Sequence, residues 1–342
     1  MQALMTIQQQ DEIRRLIAEA EKIAVVGHQN PDGDAVGAVI SIAGWVRDVY
    51  GKECAMLLPD AYPDFLQWMP NANFIIRNDK QGAKVTEIMK ETDLLFCVDF
   101  NDVSRVGEEM KPLLSAFEGK MIHIDHHIGA NLNATITLSV ENISSTCEII
   151  LRMVMEMGDY DKMDKGFYTA LFTGMMTDTG NFAYDNAGPD TYYLVSELLR
   201  KGVNRTKIHR SVYDNFSEWR LRLVGYVLHE KLVNFPEKKS CYFTITKEEM
   251  ERFHFKKGDA EGLVNLPLQM HGQRLSISLR EDTKKPNTIW VSTRSIDNFP
   301  CNKLCEQYFN GGGHLNASGG KLNCSMEEAI KITEKAILEF KF

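Results

Sequence analysis

Apolar and polar positions along the first two hundred residues fall into blocks. Short runs that are apolar on both faces end in an acid or an imidazole, and amphipathic stretches of helical spacing separate them. The β-branched run Ile23-Ala24-Val25-Val26-Gly27 predicts a buried strand opening into the loop His28-Gln29-Asn30-Pro31-Asp32-Gly33-Asp34-Ala35. The pattern predicts a first helix over 11–21, a helix over 35–49 that Asp34 can cap, a strand over 53–58 and then a Pro-rich loop. Thr92-Asp93-Leu94-Leu95-Phe96-Cys97-Val98-Asp99 and Met121-Ile122-His123-Ile124-Asp125-His126-His127 repeat the opening theme. Runs apolar on both faces belong inside a parallel sheet, so Asp99 projects from a strand's carboxyl end, where open α/β sheets place their sites. His123 alternates with apolar neighbours and reads as structural.

Ser145 and Glu148 have capping-box spacing ahead of a helix that runs to about Met157. A fourth acid, Asp178, ends the apolar stretch 171–176, whose strand or helix character the pattern leaves open. The methionines from Met153 to Met176 read as core filler. A helix over 190–200 precedes the polar stretch 202–217, the expected linker. Beyond it, 240–246, 275–280 and 289–293 alternate as half-exposed strands do, and a helix over 326–340 closes the chain. The expected fold class is α/β: an N-terminal parallel-sheet domain over 1–201 and a smaller C-terminal α+β domain over 218–342.

The 342 residues have the apolar and charged fractions of ordinary globular proteins. The first twenty residues are polar and no stretch approaches bilayer length, so the expected location is the cytoplasm, away from membranes. Seven scattered cysteines without a CxxC pair argue for reduced thiols rather than a zinc ribbon or a disulfide frame. A net charge of −8 argues against a protein that coats long nucleic acid. Residues 1–215 hold 20 Lys+Arg against 31 Asp+Glu, and residues 216–342 hold 19 against 16. That split suits an acidic metal-holding half and a half that grips phosphates.

Asp32 and Asp34 would repel strongly if both were ionised in a dry loop, so a cation belongs between them. His28, Asp32, Asp34, Asp99, His126 and Asp178 together offer four carboxylates and two imidazoles. Hard oxygen ligands with a minority of imidazole suit Mn²⁺ or Mg²⁺, Mn²⁺ being preferred, and six side chains suit two ions bridged by one carboxylate better than a single ion. Asp125-His126-His127 can place one imidazole on a metal and the other toward substrate, with the Asp orienting a ring. Gly311-Gly312-Gly313 can offer backbone N–H groups to an anion, with His314 and Arg294 adding donors, although a turn needed for tight packing remains the other reading. Arg105 lies near a metal motif and could reach a phosphate or sit in a surface ion pair.

HQNPDGDA, CVDF, IDHH and MTDTGNF, followed by FNGGGHLNASGG, make the chain resemble the DHH phosphoesterase superfamily along nearly its full length, the last stretch being similar to that family's DHHA1 module. Within the superfamily it resembles the NrnA-like group of bifunctional oligoribonucleases and 3'-phosphoadenosine-5'-phosphate (PAP) phosphatases. The resemblance implies that His28 and Asp32 hold one ion, that Asp34, His126 and Asp178 hold the other, and that Asp99 bridges them. It also implies that His127 faces the substrate phosphate or leaving oxygen beside Asp125, and that the glycine loop holds a terminal nucleotide.

The expected chemistry is two-metal phosphoester hydrolysis with Asp99 and His127 as catalytic residues and in-line attack on phosphorus. The expected substrates are RNA fragments of about two to five nucleotides and PAP, cut to mononucleotides and AMP. The alternative is a cyclic or linear dinucleotide phosphodiesterase acting on cyclic di-AMP or pApA. Inorganic pyrophosphatase and a non-catalytic nucleotide sensor are less favoured. The sequence leaves the oligomeric state open, a homodimer included.

Overall fold

A computed structural model describes residues 2–256 and 258–341. The chain forms two compact units, dividing between Asn215 and Phe216. The first runs α1 (Ile7–Glu19), β1 (Ile23–Val26), α2 (Gly33–Tyr50), β2 (Cys54–Leu58), β3 (Ile76–Arg77), α3 (Asn78–Glu91), β4 (Leu94–Val98), α4 (Gly107–Ser115), β5 (Lys120–Asp125), β6 (Ile136–Ser139), α5 (Thr146–Glu156), α6 (Lys165–Asp178), α7 (Pro189–Arg200) and α8 (Arg205–Tyr213). Its six strands pair in parallel in the order β3-β2-β1-β4-β5-β6.

Period-two alternation divides each central strand between two cores. Ile23, Val25, Leu94, Phe96 and Val98 face α1, α2 and the α5–α8 layer, whereas Ala24, Val26, Leu95 and Cys97 face α3 and α4. Both faces are covered, which is why the strands read as continuous apolar runs. Strand order reverses between β1 and β4, so a crevice opens beyond their carboxyl ends.

Several elements differ from the sequence expectation. The first helix starts four residues early, because Thr6 and Gln9 form a reciprocal capping box. Asp32, not Asp34, caps α2, accepting the N–H groups of Asp34 and Ala35. Ser145 caps α5 by accepting the Glu148 N–H, but the Glu148 carboxylate turns away to the Ser144 and Thr191 hydroxyls, so the box is half made. The apolar stretch before Asp178 is helix. Most of the expected linker is α8, whose Ile208 and Val212 are buried in the first core. Met153, Met157, Met163, Met175 and Met176 are buried, as filler should be.

The second unit continues with α9 (Glu218–Tyr226), β7 (Val233–Phe235), β8 (Ser240–Ile245), α10 (Lys247–Arg252), β9 (Leu275–Glu281), β10 (Ile289–Ser295), α11 (Cys301–Tyr308), β11 (Gly312–Gly313), β12 (Ala317–Leu322) and α12 (Met326–Glu339). Its sheet order is β11-β12-β10-β9-β8-β7, parallel only between β8 and β9. One face packs on α11 and α12. The β8 end of the other face packs on α9, α10 and the turn 263–269. The described cysteines are free thiols, and no described helix is long and apolar enough to cross a membrane.

Helices α2, α5 and α6 approach closely because Gly37 and Gly174 lie at their contact. A Cβ on Gly37 would stand 2.8 Å from the Ala170 carbonyl oxygen and 2.9 Å from Cys147 Sγ. Backbone cannot yield as a side chain can, so Gly37→Ala should destabilise the first unit by about 1–3 kcal/mol. Thermal unfolding checks this; at about 2–4 °C per kcal/mol for a unit of this size, an unchanged melting temperature would mean that the helices separate freely.

Candidate metal and phosphate site

The crevice at the strand-order reversal collects the sequence-predicted residues of the first unit. β1 ends just before His28, and α2 supplies Asp32 as its cap and Asp34 in its first turn. Asp99 follows β4, Asp125 ends β5 with His126 and His127 next, and Asp178 is the last residue of α6.

Asp99 is at the centre. One of its carboxylate oxygens, Oδ2, lies 3.4 Å from His28 Nε2 and the other, Oδ1, lies 3.6 Å from His126 Nε2. His28 Nε2 is 3.9 Å from Asp32, and His126 Nε2 is 3.9 Å from Asp34 and 3.5 Å from Asp178. Asp99 takes the left-handed conformation at φ 65°, which costs a non-glycine residue about 1–2 kcal/mol. Its N–H donates to the Ile124 carbonyl at 3.0 Å, and the His123 ring lies 2.8 Å from the Phe100 carbonyl through Nε2. His123 is therefore a buried structural residue that holds the turn carrying Asp99.

Burial, and after it the carboxylates of Asp34, Asp32, Asp178 and Asp125, push the Asp99 carboxyl well above its ordinary value. Burial likewise lowers the His28 pKa, and Asp32 only partly offsets it. His28 Nδ1 lies 2.8 Å from the Gln29 carbonyl, so that nitrogen carries the proton and Nε2 turns a lone pair toward Asp99 and Asp32. A lone pair facing carboxylate oxygens, with no proton to share, is an arrangement that a cation resolves. Among the described residues, His28, Asp32 and Asp99 form one grouping of acids and imidazoles and Asp34, Asp99 and His126 another, each with ligand atoms within 4.8 Å of one another. The donor set of carboxylates with imidazole fits divalent Mn²⁺ or Mg²⁺.

His127 Nδ1 lies 2.8 Å from Asp125 Oδ1, so the ring is oriented with Nε2 on its far side. Desolvation raises the Asp125 pKa, but the hydrogen bonds and charge of His127 together with the charge of His123 bring the net shift downward. Arg105 lies in the turn 103–106, where its carbonyl accepts the Gln29 N–H at 2.7 Å and its charge helps to lower the His28 pKa.

The start of α5 is a contributor that motif reading missed. Asp34 accepts the Thr146 N–H at 2.7 Å and the Cys147 N–H at 3.0 Å, and the Thr146 hydroxyl donates to Asp99 at 3.0 Å. This helix N-terminus therefore holds two carboxylates of the site. The available signal was Ser144-Ser145-Thr146 opening a helix in a parallel-sheet protein, which the capping explanation absorbed.

Arg294 and residues 311–314 lie in the second unit. Arg294 is on β10 and bonds its own strand's Thr293 carbonyl at 2.9 Å. Of the three glycine N–H groups expected to face an anion, that of Gly311 is already engaged within the unit. The Gly311 N–H bonds the Cys305 carbonyl at 3.3 Å, and that of His314 bonds the Ala317 carbonyl at 2.9 Å. A side chain on Gly311 would collide with the Gly319 backbone, and Gly313, at φ 142°, would press on the Ala317 carbonyl. Gly312 alone of the three has open space where a Cβ would stand.

A model of the DHH family, N-terminal domain, matches residues 22–175. The crystal structure of an exopolyphosphatase-related protein from Bacteroides fragilis is 39% identical with a TM-score of 0.93, and the match covers 99% of this chain and 98% of that one. The bifunctional oligoribonuclease and PAP phosphatase NrnA of Thermus thermophilus is 25% identical over 332 residues, 95% of this chain and 93% of that protein. The cyclic-di-AMP phosphodiesterase GdpP of Geobacillus thermodenitrificans is 26% identical over 344 residues, 96% of this chain and 49% of that protein. Crevice and comparisons agree: the chain belongs to the DHH family of phosphoesterases.

Proposed function

We propose that the chain is a divalent-metal-dependent hydrolase of short RNA fragments and of PAP, releasing mononucleotides and AMP. The observation that carries the reading is the Asp99 carboxylate, whose two oxygens face two different imidazoles, His28 and His126. On this reading His28 and Asp32 hold one ion, Asp34, His126 and Asp178 hold the other, and Asp99 belongs to both. Such ions, Mn²⁺ before Mg²⁺, would neutralise a substrate phosphate and acidify the attacking water.

The chain's own residues do the positioning. The α5 N-terminus fixes the Asp34 and Asp99 carboxylates before substrate arrives, so no reorganisation is needed at the reacting phosphorus. His127, held by Asp125, presents Nε2 to a phosphate or leaving oxygen and acts there as hydrogen-bond or proton donor. Arg105 supplies positive charge beside the first ligand group. In the second unit, Arg294, His314 and the stretch Gly311-Gly312-Gly313 contribute to holding a nucleotide, with Gly312 the open position of the three.

The likeness to the Thermus NrnA protein along nearly its whole length supports the RNA and PAP reading. The likeness to GdpP supports a second reading, cleavage of cyclic or linear dinucleotides at the same site. Side-by-side turnover with Mn²⁺ of pApA, cyclic di-AMP, PAP, inorganic polyphosphate and a long single strand separates them. PAP and the linear dinucleotide should be the fastest. A long strand degraded as readily as the dinucleotide overturns the short-substrate reading, and a preference for cyclic di-AMP selects the second one.

Asp99→Ala should lower turnover of every substrate by at least about a hundredfold while the fold stays intact by circular dichroism. Unchanged activity removes the bridging role.

The raised Asp99 pKa also sets a pH dependence in metal-free protein. In the unfolded chain the group ionises near its ordinary value of 3.8, and in the folded protein only at higher pH. Its contribution to stability is therefore intact below about 3.8 and is lost as pH rises toward the folded value. Asp99→Asn removes that loss. In chelator the variant's melting temperature should exceed the wild type's by a margin that grows with pH across this window, and Mn²⁺ should stabilise the wild type more than the variant. A margin that shrinks with rising pH would show that the carboxylates are not in conflict.

A further inference from the structure

The second sheet has an open strip on the face opposite α11 and α12, along β10 and β12. Register places three cross-strand rows on this face, Ser276, Arg294 and Ala317; Ser278, Ser292 and Gly319; and Arg280, Trp290 and Lys321, of which the β9 serines are buried and the β10 and β12 members are open. The middle row is a floor of small side chains. Arg294 and Trp290 are four residues apart on one strand, about 13 Å.

The third row is chemically distinct. Trp290 is 38% exposed, high for a tryptophan within a strand, and Lys321 Nζ lies 6.0 Å from its ring centroid. On the other side the Arg280 guanidinium lies over the Phe255 ring at 5.6 Å, and among the described residues it makes no hydrogen bond or ion pair. Burial pushes its pKa down, the mark of a cation stripped of water without an anion to replace it. Asp282, the acid acting on it, is already engaged: it accepts the Trp290 Nε1–H and the backbone N–H groups of Lys284 and Lys285, each at 2.7 Å. Lys284 and Lys285 add further positive charge in the turn after β9, in a chain whose net charge is −8.

We propose that Arg280, Trp290 and Lys321 form a subsite for one base and its phosphate of a single-stranded RNA segment. The Trp290 ring offers a face for stacking, which tolerates any base, and the two cations flank it to take phosphate oxygens. The inference rests on the short-RNA reading for the identity of the strand, and it adds a physical origin for length preference: a longer fragment gains a contact that a dinucleotide bound near Arg294 lacks.

Binding of 5'-labelled oligoadenylates, from dinucleotide to hexanucleotide, is measured by fluorescence anisotropy in chelator, so that no turnover intervenes. Wild type should bind the hexanucleotide more tightly than the dinucleotide. Trp290→Leu, which keeps an apolar side chain, should weaken hexanucleotide binding by at least about fivefold and leave the dinucleotide unchanged. Lys321→Ala, at an exposed position, should flatten the logarithmic salt dependence by about 0.7, a readout that a merely structural role would not move. Both variants should turn over PAP with metal at the wild-type rate. If wild type cleaves dinucleotides but binds the hexanucleotide no more tightly, or if both variants keep its affinity and salt slope, the subsite is wrong while the phosphoesterase reading stands. If wild type neither binds nor cleaves any of them, both fail.

Discussion

The first unit depends on a charge conflict confined to one place. Asp34 and Asp99 are almost wholly buried, and Asp178 and Asp32 stand close by. Left to themselves, such groups protonate or unfold the protein. Here backbone donors at the start of α5 and a threonine hydroxyl hold them in place, and an imidazole that is itself kept neutral faces them. Electrostatic stress, strained backbone at Asp99 and the reversal of strand order coincide, as expected where stability has been exchanged for chemistry.

Much of this was legible in the sequence because parallel strands buried on both faces declare themselves. Ile23–Val26, Leu94–Val98 and Lys120–Asp125 each read as strands, and the residue types just beyond them named the site. What was hidden depended on partners far away in the chain. The two-residue strand Ile76–Arg77 pairs only through Leu57 and Leu58, too brief to leave a period. Arg205–Tyr213 looked like a linker because its buried face is only Ile208 and Val212. The grip of α5 on Asp34 cannot be read from local pattern, since a cap and an anion seat use the same serine and threonine residues.

The glycine-rich stretch teaches the complementary lesson. Its composition suggests a cradle of free amides, yet two of its three glycines are required by close backbone approach to β12. Glycine reports that something comes near; whether that something is a ligand or the chain's own main chain is decided by the fold. The unusual chemistry of that sheet lies instead where an arginine, a tryptophan and a lysine share a row, at positions separated by up to forty-one residues and invisible to any local motif.

The crevice draws on β1, β4, β5, α2, α5 and α6, so its groups enter the chain from His28 to Asp178. During synthesis the central strand emerges early, but the last acid is the final residue of α6, which packs directly on α2 and on α5. A nascent chain that ends before α6 thus carries His28, Asp32, Asp34, Asp99 and His126 without Asp178. The full set of candidate ligands therefore exists only once that layer of helices has closed on the sheet.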